Sequence, residues 1–313
     1  MRGGDGMLIR GDARSIPLSD GVVQCCVTSP PYWGLRDYGL GNTGIGIEPT
    51  PEEYVASIVA AFREVWRVMR DDGTLWLNLG DSHWNRNGEA GSKRRKNAPA
   101  NASKLPPHAV LKIKDLIGIP WRVAFALQAD RWYLRSDIIW HKTNPMQESV
   151  RDRPTKAHDY LFLLTKQARY YYDAKAIKES TANSNTHSKG TKKSPPKSLE
   201  HADATARVKN NASFMKATWE PVTSRNRRDV WTITKQPYRG AHFATFPEKL
   251  VEPCILAGTR PGEMVLDPFC GSGTVGAVAR RYGRQFVVMD LSAPYLKLAT
   301  ERISKAHPKE ETE

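Results

Sequence analysis

The chain has 313 residues and a formal net charge of +14, and 40% of its residues are hydrophobic. This length and apolar content support a sizeable buried core, so disorder throughout is excluded; one large α/β domain with an insertion, or two moderate domains, is expected. No apolar run approaches the roughly 20 residues of a membrane-spanning helix and the N-terminus lacks a secretory signal, which excludes membrane and secreted classes and predicts a cytoplasmic protein.

Two segments carry the positive charge. Residues 84–114 hold eight Lys/Arg and one acidic residue, and residues 173–228 hold twelve Lys/Arg and five acidic residues, so the rest of the chain is neutral on balance. A neutral body with two basic segments is typical of a catalytic core that carries two polyanion-binding elements. On charge alone, a pair of solvated basic loops is an equal alternative.

The first half of the chain predicts alternating strands and helices, and hence a mostly parallel sheet. The apolar run 22–28 is typical of a central strand, and it ends at Ser29-Pro30-Pro31-Tyr32, where open α/β sheets bind ligands. A helix over 51–70 follows, with Thr50 and Glu53 as a capping box. Further strands are predicted over 7–9, 74–79, 133–140, 160–164, 170–172 and 230–234, with 160–172 as an antiparallel edge, and further helices from Pro120 and over 247–256.

The last fifty residues predict a strand (264–267), a tight loop, a helix (275–281), a strand (285–290) and a final helix (293–305). Gly271, Gly273 and Gly276 satisfy the G-x-G-x-x-G pattern of dinucleotide sites. An acid directly before this turn, Asp267, would repel a pyrophosphate and suits a ligand with an ammonium group. Only 23 residues follow Asp290, so the missing strands are expected from the N-terminal half.

The two motifs, Ser29 to Tyr32 and Asp267 to Thr274, together resemble those of the β-class DNA amino-methyltransferases, in which the catalytic motif precedes the cofactor motif. The resemblance spans about 7–82, 115–172 and 229–305. It implies a circularly permuted, Rossmann-like fold that depends on S-adenosyl-L-methionine. Its parts are a catalytic half at 1–172 with the basic loop 84–114 inserted, a target-recognition region at 173–228, and a cofactor-binding half at 229–313.

The resemblance also implies the residues that bind S-adenosyl-L-methionine. The element beside the adenine ring is Asp12-Ala13, and Asp290 is the ribose-binding acid, although an acid that caps the next helix is the alternative at that position. The segment that closes over the methionine carboxylate contributes Phe243, Thr245, Phe246 and Pro247, and the loop at the methionine moiety contributes Asp267, Pro268, Phe269, Gly271, Ser272, Gly273 and Thr274.

The tetrapeptide suits transfer of a methyl group to an exocyclic amino nitrogen. Ser29 Oγ and the Pro30 carbonyl can accept the two N–H bonds out of the base plane, which localises the nitrogen lone pair. Pro30-Pro31 stiffens the loop, and Tyr32 offers a stacking face for a flipped base. Serine is a poor base, so orientation must dominate. Adenine N6 and cytosine N4 both remain open as targets, with adenine slightly favoured.

Three alternatives are weighed. Cytosine C5 methylation needs a cysteine nucleophile; Cys254 lies in an apolar helical stretch and is read as a core residue, so that chemistry is rejected. An enzyme that methylates RNA or a protein glutamine could use the same tetrapeptide to orient an amino nitrogen, but the basic segments favour a nucleic acid. A degenerate, non-enzymatic binding protein is disfavoured by the intact motifs. The cysteines lack metal-ligand spacing, so reduced thiols and no metal are expected.

Double-stranded DNA is the expected partner, with association to the nucleoid. A homodimer and a cognate restriction endonuclease are further partners that the resemblance allows, because such enzymes occur in restriction-modification systems and as phage or orphan enzymes. No membrane partner is expected. The residues expected to contact DNA are Lys93, Arg94, Arg95, Lys96, Lys192, Lys193, Arg225, Arg227 and Arg228.

Overall fold

A computed structural model describes residues 6–34, 44–84, 108–181, 223–235 and 247–308. The chain divides into two compact units: Met1–Ala176 with Arg228–Glu313, and Ile177–Arg227. The target-recognition role and the bounds predicted for 173–228 stay a prediction. Among the described residues, none of the helices is long and apolar enough to cross a membrane.

Eight strands of the first unit form one sheet, and two short strands pair in the second unit. In chain order the strands are β1 (Gly6–Arg10), β2 (Val23–Thr28), β3 (Met69–Leu79), β4 (Tyr133–His141), β5 (His158–Thr165), then β6 (Glu179–Ser180) and β7 (Ser224–Arg225) of the second unit, and β8 (Val230–Thr232), β9 (Met264–Asp267) and β10 (Gln285–Asp290). The sheet order is β1-β10-β9-β2-β3-β5-β4-β8.

The N-terminal strands flank the C-terminal ones. β1 pairs with β10 in parallel, with Leu8 opposite Val288, and β2 pairs with β9 in parallel, with Cys26 opposite Leu266. The expectation that N-terminal strands complete the C-terminal unit is therefore confirmed. These pairings satisfy backbone groups along the outer edges of β9 and β10.

β2 is covered on both faces, as its apolar run predicts. Cys26 lies in the same buried cluster as Phe62 of α1 (Pro51–Val68). Cys25 faces the other side, where its thiol approaches the Cys254 carbonyl of α3 (Glu248–Gly258). The remaining helices are α2 (Ile119–Ala129), α4 (Thr274–Arg281) and α5 (Ala293–Ser304).

The antiparallel strand lies inside the sheet and not at its edge. β5 runs antiparallel to both β3 and β4, and the parallel-paired β8 forms the edge. Residues 170–172 are not a strand, contrary to the prediction. Tyr172 instead stacks its ring on Trp76, with centroids 6.3 Å apart. Aromatic residues in that segment pack against the face of the sheet. Their β-propensity does not distinguish this packing from a strand that pairs within the sheet.

The strand after α1 begins earlier than its pattern predicts. β3 starts at Met69, directly after the helix, and its register with β2 shifts between Val23 and Cys25. Gly73 lies at this irregularity; a Cβ there would be 2.9 Å from the Gln24 carbonyl oxygen. The glycine thus permits close approach of two strands and does not separate helix from strand.

Candidate active site

The loops of both motifs meet at one edge of the sheet. β1, β2, β3, β9 and β10 are parallel neighbours, so their carboxyl ends lie on the same edge. Thr28, the last residue of β2, donates a hydrogen bond from Oγ1 to Asp267 Oδ1 at 2.7 Å. Because Thr28 precedes Ser29 directly, this bond ties the start of the tetrapeptide Ser29 to Tyr32 to Asp267, which begins the second motif.

Asp267 is a buried carboxyl group with an unusual acidity. Burial raises its pKa to about 7, against smaller lowering effects of the Thr28 hydroxyl and the Phe269 amide. The Phe269 N–H also donates to Oδ1, at 3.1 Å, so both bonds found in the described part of the chain fall on one oxygen. A cationic group at the other oxygen would offset the cost of burial and favour the ionised form.

Asp290 holds the glycine loop and the start of the last helix together. Its Oδ2 accepts from the Gly271 amide at 3.0 Å, and its Oδ1 accepts from the Ser292 amide at 2.8 Å. The helix-capping alternative is thus partly realised, since Ser292 is the N-cap residue of α5. The backbone carbonyl of Asp290 accepts a hydrogen bond from the Gly11 amide at 3.2 Å, which brings the loop that holds Asp12 next to the glycine loop. Burial raises the pKa of Asp290.

The glycine loop needs its glycines for conformation and space. Gly271 and Gly273 have φ values of 48° and 76°, in the left-handed region that side chains disfavour. A Cβ on Gly273 would lie 2.7 Å from the Cβ of Ala299 in α5. Arg302, also in α5, donates to Ser272 Oγ at 3.0 Å and to Thr274 Oγ1 at 2.7 Å. The loop is therefore held from one side by the final helix.

The other predicted cofactor residues within the described part lie around this loop. Asp12 forms a two-pronged ion pair with Arg14, at 2.6 Å for the shortest contact, which holds the pKa of the carboxyl group below its usual value. Ala13 and Pro247 are buried. Pro268 and Phe269 follow Asp267 in the loop after β9. Phe243, Thr245 and Phe246 lie outside the described residues.

The tetrapeptide predicted to be catalytic follows β2 and contacts side chains from other elements. Tyr54 of α1 donates its hydroxyl hydrogen to the Pro31 carbonyl at 2.9 Å. The Pro30 carbonyl accepts no hydrogen bond from the described residues. A Cβ on Gly80, after β3, would lie 2.4 Å from the ring of Tyr32, so this glycine lets the ring pack against the backbone. With respect to the described residues, the Pro30 carbonyl is therefore an acceptor without a donor, whereas the Pro31 carbonyl is occupied.

Asn78, near the end of β3, joins the two polar groups of the tetrapeptide. Its Nδ2 donates to Ser29 Oγ at 3.1 Å and to the Tyr32 hydroxyl at 2.7 Å, and the residue is 1% exposed. Sequence reasoning missed this residue. The signal was present, because an amide in the apolar strand Leu75 to Leu79 must find hydrogen-bond partners once buried.

A buried ion pair continues this network. The Tyr32 hydroxyl donates to Asp159 Oδ2 at 3.2 Å, and Asp159 forms an ion pair with Lys142 at the end of β4. Burial raises the pKa of Tyr32 well above its usual value, so the phenol stays neutral and remains a donor. Ser29, Asn78, Tyr32, Asp159 and Lys142 form one hydrogen-bonded row across four strands.

Comparison with known proteins agrees with this geometry. The family model N6_N4_Mtase, described as DNA methylase, matches residues 23–301. The type II methyltransferase M.Cfr9I of Citrobacter freundii is 46% identical over 300 residues, covering 95% of this chain and 87% of the relative. M.SmaI of Serratia marcescens is 46% identical over 299 residues, covering 95% and 90%.

The chain belongs to this DNA methylase family. It is a DNA amino-methyltransferase, and S-adenosyl-L-methionine is its methyl donor. The residues of the glycine loop fit that cofactor. The buried Asp267 carboxyl group suits its ammonium group, and Gly271 and Gly273 let the cofactor approach the backbone closely.

Two solved structures share the fold of the methylase. One is TTHA0409 of Thermus thermophilus with S-adenosyl-L-methionine, at a TM-score of 0.58 and 21% identity, covering 97% of this chain and 95% of that one. The other is the PvuII DNA methyltransferase, described as cytosine-N4-specific, at a TM-score of 0.58 and 17% identity, covering 95% and 86%. The predicted α/β, Rossmann-like fold is confirmed.

The predicted DNA-binding residues of the methylase are only partly described. Arg225, in the second unit, lies 3.7 Å from Glu179 in an ion pair. Arg227 belongs to that unit and Arg228 to the first, where its carbonyl accepts from the Trp231 indole at 2.7 Å. The remaining six lie outside the described residues: Lys93, Arg94, Arg95, Lys96, Lys192 and Lys193.

The cysteine considered for C5 chemistry is a core residue of the methylase. Cys254 is fully buried in α3, and its thiol donates to the Leu250 carbonyl one turn earlier, at 3.1 Å. The other three cysteines are likewise buried and unlinked. The prediction that Cys254 packs in the core is confirmed.

Proposed function

We propose that this methylase methylates the exocyclic amino group of a base flipped out of double-stranded DNA, with Ser29 to Tyr32 as the catalytic loop. The observation that carries the proposal is the Thr28–Asp267 hydrogen bond between parallel neighbours β2 and β9. It puts the group that orients the amino nitrogen next to the loop that would hold the methyl donor.

Ser29 and Pro30 orient the nitrogen in this proposal. Asn78 occupies one lone pair of Ser29 Oγ, which leaves a second lone pair to accept an N–H of the target. The Pro30 carbonyl accepts the other N–H. Both bonds favour a tetrahedral nitrogen whose lone pair points at the incoming methyl group. The nitrogen then carries a positive charge, and its proton leaves after transfer.

Tyr32 offers its ring to the flipped base, while its hydroxyl is anchored by Asn78 and Asp159. A ring that is held at its hydroxyl and on one face loses little conformational entropy when a base stacks on its other face. Asp159 is itself held by Lys142, so the orientation of the ring depends on an ion pair beyond the base pocket.

S-adenosyl-L-methionine supplies an activated methyl group on a sulfonium. We propose that Asp267 binds its ammonium, Asp290 its ribose hydroxyls and Asp12-Ala13 its adenine. The backbone of Gly271 and Gly273 lines the methionine side. The remaining proposed contacts are Phe243, Thr245, Phe246, Pro247, Pro268, Phe269, Ser272 and Thr274.

We further propose that the chain is a circularly permuted, β-class enzyme in which residues 173–228 read the DNA sequence. The motif order and the sheet order support the permutation. A homodimer, a cognate restriction endonuclease and association with the nucleoid are proposed on the resemblance alone.

The decisive experiment offers radiolabelled S-adenosyl-L-methionine with duplex DNA, RNA and protein to the wild-type chain and to Tyr32→Ala. Label is expected in duplex DNA with the wild type only, while Tyr32→Ala still binds the cofactor by calorimetry. Label in RNA or protein alone would reject the proposal. Single-molecule sequencing of DNA from expressing cells then distinguishes adenine N6 from cytosine N4 and gives the site.

A further inference from the structure

Three lysines gather at the carboxyl edge of the sheet, beyond the catalytic loop. Lys142 follows β4, Lys156 precedes β5 and Lys235 follows β8. These strands are neighbours in the order β5-β4-β8, and β5 runs opposite to the other two, so all three lysines come to the same edge. None of them belongs to the two basic segments seen in the sequence.

The strand ends that carry the lysines are firmly joined. The Lys142 amide donates to the Ala157 carbonyl at 2.8 Å, which places Lys156 next to the same pairing. On the other side, Asn144 and Lys235 exchange two hydrogen bonds, at 2.9 and 3.2 Å. The three ammonium groups are therefore presented by a continuous extension of the sheet.

Only one of the three lysines has a carboxylate partner within the described part of the chain. Lys142 pairs with Asp159, which also accepts from Tyr32. Among the described residues, no carboxylate lies within ion-pair distance of Lys156 or Lys235. Two further acids act on Lys156 from outside ion-pair distance. Asp81 accepts from the Gly118 and Ile119 amides through Oδ1, and Glu148 forms an ion pair with Arg153.

Both lysines are half-buried, so water solvates their charge only in part. Burial lowers the pKa of Lys156 and of Lys235, and the charge of Lys142 adds to this in each case. The Asp159 carboxylate acts in the opposite direction on both, and Asp81 and Glu148 do so on Lys156. An anion bound at each ammonium group would relieve this cost.

The order of strands indicates which anion would lie near these lysines. The cofactor loops follow β1, β10 and β9, the catalytic loop follows β2, and the lysines lie beyond β3 on the far side. From β2 to β5 is two strand spacings, or roughly 10 Å. A base held at Ser29 and Tyr32 thus lies between the cofactor loops and the lysines, and its backbone can extend toward the lysines, away from the methyl donor. Lys156 is then the nearer lysine, since β8 lies four strand spacings from β2, or roughly 20 Å.

We propose that Lys156 and Lys235 bind backbone phosphates that flank the flipped target nucleotide. The inference rests on the proposed function, because it assumes a DNA strand at the catalytic loop. Phosphate is the anion that a DNA strand supplies, and lysine binds it as a compact point charge. Lys142 stays with Asp159 and positions Tyr32.

The test compares Lys156→Gln, Lys235→Gln and the double variant with Lys297→Gln, an exposed lysine of α5. Duplex DNA with the site found by sequencing is titrated at several salt concentrations. Removal of one lysine–phosphate pair should flatten the slope of log Kd against log salt by about 0.9. The double variant should show about twice that change and Lys297→Gln none, with cofactor affinity and thermal midpoint unchanged.

Neutral methylphosphonates next to the target nucleotide locate the phosphates that are bound. Wild-type affinity should fall several-fold on this DNA, while the double variant should show no further decrease, because lysine and phosphate are then coupled. The inference would be overturned if the variant and the methylphosphonates lowered affinity independently. It would also be overturned if the variants kept the wild-type salt slope on a duplex that the wild type methylates. A wild type that binds duplex DNA without methylating it would instead reject the proposed function. Lys156→Arg and Lys235→Arg should retain the slope.

Discussion

A single buried amide, Asn78, connects the serine and the tyrosine of the loop that we propose to be catalytic. Its two donated bonds fix Ser29 Oγ and the Tyr32 hydroxyl at 3.1 and 2.7 Å from Nδ2. Neither side chain of the loop is thus oriented by the loop alone. The residue acts through its neighbours, so it is a positioning residue and not a catalytic one.

Replacing Asn78 by Ala should lower kcat about 10- to 100-fold, since the loss of oriented hydrogen bonds is worth about 1.4–2.7 kcal/mol in the transition state. The KM for S-adenosyl-L-methionine should change less than about twofold, because the loop after β9 is untouched. Steady-state kinetics on the identified DNA site measure both.

A matched control is Gln24→Ala. Gln24 is also an amide that is 1% exposed, but it lies near the amino end of β2, where its Nε2 donates to the Asp72 carbonyl. Both variants should lower the thermal midpoint, and only Asn78→Ala should lower kcat. Equal losses of kcat would mean that Asn78 matters only for stability.

The acidity of Asp267 predicts a pH dependence of stability. Its pKa is about 7 in the folded chain, against an ordinary value of 3.8, so the folded state binds more protons between these values. The free energy of unfolding should therefore fall as pH rises from about 4 to about 7 and level off above, by at most a few kcal/mol. Urea midpoints of the apo chain measure it.

Asp267→Asn isolates this effect, because the variant keeps the shape without the titration. The wild type should lose more stability than the variant between pH 5 and pH 8. Asp290 contributes in the same direction in both chains, so it cancels in the comparison. Parallel pH profiles for the two chains would contradict the assignment.

At the scale of elements, the glycine loop depends on the last helix. Arg302 in α5 contacts Ser272, Thr274 and, at 2.9 Å, Glu248 at the start of α3. One guanidinium thus links the loop after β9 to two helices. Its planar donors suit several acceptors at once, which a single ammonium cannot serve.

Arg302→Met should raise the KM for S-adenosyl-L-methionine about tenfold and leave kcat within about threefold, because charge-assisted hydrogen bonds of a few kcal/mol hold the loop in its binding shape. Arg302→Lys should give an intermediate KM. Kinetics at saturating DNA separate the two constants.

Arg280→Met serves as the control for Arg302→Met. Arg280, in α4, donates to the Ile303 carbonyl of the same final helix, at 3.1 Å. It should cost stability without raising the KM. A tenfold rise in this control would show that any loosening of α5 has the same effect.

Elements with a strong local signal were predicted almost residue by residue. The strands 264–267 and 285–290 match β9 and β10, and the helix predicted over 51–70 is α1, which begins at Pro51 after the Thr50 cap. Elements whose ends depend on neighbours were less well predicted. The start of β3 and the place of β5 in the sheet depend on pairing partners distant in sequence, which local periodicity does not encode.

At the scale of the molecule, the second unit has a short strand near each of its two ends, and these strands pair with each other. Glu179 pairs with Arg225 and Ser180 with Ser224, and the Thr181 amide donates to the Thr223 carbonyl at 3.0 Å. Thr181 and Thr223 are thus one strand spacing apart, and a two-residue turn could join them.

Replacing residues 182–222 by Asn-Gly should therefore leave a folded chain that binds S-adenosyl-L-methionine with wild-type affinity. Site-specific methylation should be lost, if the segment reads DNA as proposed. Calorimetry with the cofactor and sequencing of methylated DNA measure the two outcomes. Retained methylation at the wild-type site would place sequence recognition elsewhere. A shortened chain that fails to bind the cofactor would show that the segment also supports the first unit.

The sequence by itself determined the chemistry of this protein. The motifs Ser29 to Tyr32 and Asp267 to Thr274, through their resemblance to those of the β-class DNA amino-methyltransferases, were enough to predict the fold class, the cofactor and amino-methylation, because short loops at strand ends carry functional residues in local order.

Only the tertiary structure decided which side chains support those loops. Thr28 meets Asp267 across 239 positions, and Asn78, Asp159 and Arg302 reach their partners from separate elements. Lys156 and Lys235 are inconspicuous in a chain with many lysines until the sheet order brings them to one edge. Such contacts follow from strand order and burial, which are properties of the whole chain and leave no local pattern in its sequence.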